Sequence, residues 1–140
     1  MEQKFEPLNA RDIADLEAKR QWVREHYDEA AQHKYTSLEG KLLLLDTILR
    51  NQWIAADETL KLQCLGVTLG DALAQKLGLA WVAVEDDYGR DPALTLEGTS
   101  VRIFPLTSIS KRIERGEDVD VNELFEGFCR TIEQLQRDGA

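Results

Sequence analysis

The run VEDDYGRDPAL, residues 84–94, gathers more chemically capable side chains than any other stretch: Glu85, Asp86, Asp87 and Asp91 surround Tyr88, Gly89 and Arg90. Carboxylates are hard oxygen donors of the kind that hold Ca²⁺ or Mg²⁺. The spacing argues against such a site. A calcium loop places ligands at alternating positions around a mid-loop glycine and closes on a bidentate glutamate, and this run lacks that order. In an extended strand, consecutive side chains leave from opposite faces, so Glu85 and Asp86 diverge. The other reading is a strand end, where Asp and Gly build the connection and Arg90 offsets local repulsion.

Other chemical sets are sparser. His26 and His33 stand seven apart in a helical pattern, about 10 Å along the axis at about 1.5 Å per residue, too far for one metal ion. Cys64 lies between Leu62 and Leu65, and Cys129 beside Phe125 and Phe128. Both read as small core residues, whereas a nucleophilic thiol needs an electropositive, partly exposed setting and a base. Ser108 and Lys111 have an S-x-x-K spacing without its partner motifs, which leaves a polar helix face. Lys111, Arg112 and Arg115, with Arg90 and Arg102, could form a small basic patch for an anion or an acidic partner; the other reading is a solvated helix face flanked by Glu114, Glu117 and Asp118. Trp22 falls off the main apolar stripe of its helix and Trp53 ends the next, so either marks a contact surface if exposed. Trp81 reads as a sheet anchor in the core. The contact candidates are therefore Asp87, Tyr88, Arg90, Lys111, Arg112 and Trp22. No catalytic residue, metal ligand or cofactor is nominated.

The elements that must position these residues follow from the period of the apolar pattern. Residues 11–34 read as one helix capped by Asn9, with Ile13, Leu16, Val23, Tyr27 and Ala30 on a narrow stripe that Arg20 interrupts. Thr36 and Glu39 read as a capping box opening a second helix with a wide leucine face. Asp57 reads as the cap of a third helix closing at Gly78, in which Gly66, Gly70 and Ala74 form a row of small residues for close packing. The period then shortens. LAWVAVEDD, ALTLEG and SVRIF predict three strands of an antiparallel meander, with a tight turn at EGTS and a longer one at DDYGRDP. Pro105 opens a short helix stopped by Gly116, and Asp120 with Glu123 caps a last helix whose face is Val121, Leu124, Phe125, Phe128, Ile132 and Leu135. The expectation is an α+β fold: about five helices, with a three-stranded antiparallel β-meander inserted before the last two. Helices three and five should cover one sheet face. One domain spans residues 1–140, with 1–35 as an outer helix and 36–140 as the core.

The chain has 140 residues, 43% of them apolar and 31% charged, with a net charge of -9. That field repels nucleic-acid backbones and anionic membranes and suits a basic protein partner. Two isolated cysteines, no apolar leader pattern and no long apolar run lead to the expectation of a cytoplasmic protein.

The segment 65–128 resembles a bacterial family known as domain of unknown function 3806. The resemblance rests on the Gly66/Gly70 helix, Trp81 opening a strand, the acid-rich Tyr88-Gly89 turn, Pro105, Lys111-Arg112, and Gly116 before an acidic segment. It implies a bacterial cytoplasmic α+β domain and brings no catalytic residues. The functional expectation is a non-enzymatic acidic protein-interaction module, immunity- or antitoxin-like in size and charge, binding a basic protein or its own copy. The alternative is a small-molecule-binding or hydrolytic enzyme with its site near the first hairpin loop.

Overall fold

A computed structural model of the chain describes residues 4–26, 29–99 and 101–138. In chain order the elements are β1 (Lys4–Glu6), α1 (Ala10–Arg24), a 3-10 helix (Glu29–Thr36), α2 (Leu38–Arg50), α3 (Thr59–Leu77), β2 (Ala80–Asp86), β3 (Gly89–Thr95), β4 (Arg102–Ile103), α4 (Ser108–Glu114) and α5 (Val121–Arg137). The class is α+β as the periods predict, but the antiparallel sheet has four strands in the order β1-β2-β3-β4. The additional strand, β1, pairs Phe5 with Val84 at the edge of β2. Three residues are too few to show an alternation, so β1 leaves no sequence signal of its own.

The hairpin lengths also differ from expectation. β2 and β3 are joined by Asp87 and Tyr88 alone, and Asp86 pairs with Gly89. Gly89 takes φ 128, a value that favours glycine. Residues 90–92 therefore belong to β3, not to a long loop. Pro92 is tolerated because β4 reaches only Leu94 and Thr95, which leaves β3 an open edge at the proline. In the second connection Gly98 has φ 80 and the Thr99 hydroxyl donates to the Leu96 carbonyl; Ser100, the last residue of the expected EGTS turn, lies outside the described residues.

The first helix is shorter than its pattern. α1 ends at Arg24 and the chain re-enters as a 3-10 helix. Only Leu16 and Val23 of the expected stripe are buried in α1, while Ile13 is 53% exposed. Tyr27 lies outside the described residues. The caps shift as well. Ser37, not Thr36, caps α2 through the Gly40 amide, and Thr36 donates to the His33 carbonyl. The α3 cap position is Glu58 and not Asp57; its carboxylate accepts the Ala55 amide. Gly78, at φ 69, closes α3 as expected.

The core is built around α3, whose residues 64–70 are all buried. Its small residues do what their row implies. A Cβ on Gly66 would stand 2.2 Å from the Leu106 carbonyl oxygen, and one on Gly70 2.5 Å from the Trp81 ring. The Pro105-Leu106 backbone therefore lies directly on the helix. Leu94, Ile103, Ile109, Phe125 and Ile132 complete the core with the leucines of α2 and α3. Register places Trp81, Ala83, Arg90, Pro92 and Leu94 on the sheet face that meets the helices. α1 shares that face with α3, since Leu16 shares a small pocket with Ala83 and Pro92. Helix α5 packs instead on α2 and α3. On the far face the Arg102 guanidinium crosses the sheet and lies 4.0 Å over the Phe5 ring. Cys64 and Cys129 are buried free thiols, and burial pushes both above the ordinary thiol range.

Candidate functional site

The contact candidates do not converge. Tyr88 is 97% exposed at the hairpin tip, where its amide donates to Asp86 Oδ1, and Asp87 is exposed beside it. Arg90 turns away from that tip. Its Nη2 donates to Asp12 Oδ2 at 2.7 Å and its Nη1 to Glu6 Oε2 at 2.8 Å, tying β3 to α1 and β1. Lys111 is exposed on α4, and Arg112 donates to the Ser108 carbonyl. Arg90 and Arg102 leave opposite faces of the sheet by register, so the extended basic patch does not form. Ser108 is likewise engaged, donating to the Pro105 carbonyl and not facing Lys111. Trp22 is half-buried against the core; its ring lies 4.1 Å from His26, which in turn stacks on Trp53 at 6.1 Å.

Arg90 has a measurable consequence. Its hydrogen bonds hold the Asp12 carboxyl below the usual carboxylate range, against the opposing pull of burial. A depressed folded-state pKa stabilises above the unfolded value, about 3.9, and that contribution is lost as pH falls through the folded value. Asp12→Asn should therefore lower the urea midpoint at neutral pH, and the gap to the wild type should close below about pH 4. A gap that persists unchanged into strong acid would refute the assignment.

The densest polar arrangement contains residues the sequence pattern did not nominate. Asp71, in the middle of α3, accepts Arg20 Nε at 2.7 Å and Nη2 at 2.9 Å, the Tyr35 hydroxyl at 2.5 Å and Trp81 Nε1 at 2.9 Å. The carboxylate is 11% exposed. Tyr35 also lies 3.2 Å from the Thr68 hydroxyl. Burial, followed by the Asp71 charge, drives the phenol far above its ordinary range. Burial opposes the Arg20 charge, but the Asp71 hydrogen bonds and charge outweigh it and raise the guanidinium pKa. Lys41 is buried nearby, donates to Gln75 Oε1 at 2.6 Å and has its pKa pulled down by burial. Arg24 and Lys41 flank the Tyr35 ring at 5.0 and 5.3 Å. The hub is well satisfied: the largely buried carboxylate accepts from four donor atoms. Its chemistry is fastening, and it locks α1, the 3-10 helix and β2 onto α3. Two signals for it stood in the sequence: Arg20 interrupting an apolar stripe, and Asp71 alone in an apolar run.

Open space lies around the α4–α5 connection. Two clefts, of about 790 and 540 Å³, meet at the α4–α5 connection and share Glu117, Asp118, Val119, Asp120 and Glu123. The larger is floored by Ile48, Leu49, Ile54 and Ile113 and rimmed also by Asp46 and Arg50, which pair at 2.8 Å. The smaller runs along α5 over Ile103, Leu124, Gly127 and Phe128. Arg112 is the one contact candidate that lines either cleft. Among the described residues no group of three or more His, Cys, Asp or Glu side chains is arranged to hold a metal ion, these acids included, and no helix is long and apolar enough to cross a membrane.

The family model of a domain of unknown function (DUF3806) matches residues 41–125, and the chain belongs to that family. The match takes in α2 from Lys41 onward, α3, β2 to β4, α4 and the start of α5, but not β1, α1 or the 3-10 helix. Asp71 and Trp81 thus lie inside the family segment, whereas Arg20 and Tyr35 lie before it. No curated protein matches the chain. A crystal structure from Bacteroides thetaiotaomicron VPI-5482 has a similar fold, with a TM-score of 0.73 at 14% identity, covering 92% of this chain and 48% of that one. The chain spans about half the length of that neighbour.

Proposed function

We propose that the chain is a non-enzymatic protein-interaction module that takes a basic partner in the cytoplasm. The carrying observation is the pair of confluent clefts with an apolar floor and a shared rim of Glu117, Asp118, Asp120 and Glu123. Desolvated apolar floors provide binding energy, and a rim in which these acids outnumber the arginines, Arg50 in the larger cleft and Arg112 and Arg130 in the smaller, favours a basic partner and speeds encounter. The net charge of -9 acts in the same direction at longer range. Neutralising a basic enzyme, as an immunity or antitoxin-like protein does, is one task for such a surface. The small-molecule alternative near the hairpin has less in its favour, because Arg90 is already committed to Asp12 and Glu6.

The test is affinity capture of the full chain in lysate at about 0.1 M and about 1 M salt, where the Debye length falls from about 10 to about 3 Å. The expected result is a reproducible basic protein, released at high salt and lost with the triple variant Glu117→Gln, Asp118→Asn, Glu123→Gln. No reproducible partner, together with a monomer in light scattering, would overturn the reading. So would a partner that the triple variant retains.

A further inference from the structure

Among the described residues four glycines lie within helices, and three are explained by what they touch: a Cβ on Gly40, in the first turn of α2, would stand 1.9 Å from the Lys34 carbonyl oxygen. Gly66 receives the Leu106 carbonyl and Gly70 the Trp81 ring. Gly127, in the middle of α5, is different: among the described residues a Cβ there would meet nothing within 4 Å. An interior glycine weakens a helix relative to alanine, and no contact among the described residues requires one here. Gly127 is half-buried and lies in the wall of the 540 Å³ cleft. Asp120, Glu123, Leu124, Phe128 and Thr131 continue that wall at helical spacing, so the cleft follows α5 for about 16 Å, or about three turns.

We infer that this cleft seats a cationic amphipathic helix of a partner protein, which crosses α5 at Gly127. The inference rests on the interaction reading above and adds the seat and the form of the occupant. Leu124, Phe128 and Ile103 offer apolar surface to one helix face, as in helix-in-groove recognition. The missing side chain at 127 brings two helix axes closer than larger residues allow. Four acids, Glu117, Asp118, Asp120 and Glu123, line the cleft against two arginines, Arg112 and Arg130, and the acids gathered at the start of α5 call for Lys or Arg there. A second copy of this chain is a poor occupant, since it would bring a like charge of -9 to an acidic rim.

The probe is a fluorescent Lys/Leu amphipathic peptide of about four helical turns, titrated by anisotropy against the full chain beside a Glu/Leu counterpart. The Lys/Leu peptide should bind in a salt-dependent manner. Gly127→Leu should weaken it by roughly tenfold or more, the equivalent of about 1.4 kcal/mol, while its own melting temperature stays at or above that of the wild type. Gly127→Ala should weaken binding less and raise the melting temperature, and Asn122→Ala should leave binding unchanged. Binding that the triple charge variant abolishes but Gly127→Leu leaves intact would overturn the seat and leave the interaction reading standing. Equal binding of the Glu/Leu peptide would overturn it as unselective apolar contact. A concentration-dependent dimer broken by Gly127→Leu would make the occupant a second copy, against the proposal. No peptide binding, in a chain that still captures a basic protein, would overturn the helix alone; no binding and no captured protein would overturn both.

Discussion

Asp71→Ala should destabilise the chain by about 3–5 kcal/mol, the range for removing one partner from a buried ion pair. The loss is larger than that of an exposed salt bridge because the other groups stay where they are. Arg20 keeps its charge with its side chain only 21% exposed, and Trp81 Nε1 loses the acceptor it holds at 2.9 Å. Tyr35 retains Thr68 but not its shorter bond. Against a total stability of about 5–15 kcal/mol this is a large fraction. The measurement is the urea midpoint, read with the m-value to confirm that the transition itself is unchanged. Asp71→Asn should fall between wild type and alanine, since it keeps the shape but not the charge. Arg20→Met alone should cost less than Asp71→Ala, and the two changes together should cost less than their sum, because Arg20 without Asp71 is itself unfavourable. If Asp71→Ala shifted stability by under about 1 kcal/mol, a value proper to surface pairs, the hub would not be the fastening assigned to it. Local readouts matter too. Hydrogen exchange in α1 should rise most, because Leu16 and Val23 are its fully buried residues and Arg20 ties it to α3 through Asp71.

Gly66→Ala is the second large expectation, and its sign is informative. Helix propensity alone predicts that alanine stabilises α3 by about 1 kcal/mol. The structure predicts the opposite. The added methyl would stand 2.2 Å from the Leu106 carbonyl oxygen and 2.7 Å from that of Pro105. Both are backbone atoms, so relief requires the whole connection before α4 to lift off α3. Overpacking of this kind costs about 1–3 kcal/mol or more. The Pro105 carbonyl also accepts the amide and hydroxyl of Ser108, so lifting it disturbs the start of α4. Chemical denaturation decides the matter: a variant as stable as the wild type, or more so, would show that the close approach at 66 is not rigid.

The two expectations mark where local reading succeeds and fails. The row Gly66, Gly70 and Ala74 announced a close approach from its spacing alone, and the structure supplied only the identity of what approaches. The apolar face of α5, its Asp120 cap, the Gly78 closure of α3 and the core placement of both cysteines were legible for the same reason. Each is set by residues within a few positions of one another. The α1 boundary was not legible, because the stripe continues past Arg24 in period while the backbone does not. The family resemblance was visible in residues 65–128, and the family match begins earlier, at Lys41.

What the sequence by itself determined was the class of the fold, the order of helices and strands from β2 onward, and a net charge of -9. Tertiary structure alone decided which charges meet. Arg20 and Asp71 are 51 residues apart, and Arg90 and Glu6 are 84 apart, and no periodicity links such pairs. It also decided that the acids at 85–91 stand on a strand pair and its tip, while those at 117–123 rim a cleft. In the sequence the first run reads as a solvated strand end and the second as the acidic lead-in and cap of the last helix, and neither reading holds a cleft. The difference between them is the concave apolar floor that α2, α4 and α5 form together, a property of packed surfaces that no single segment encodes.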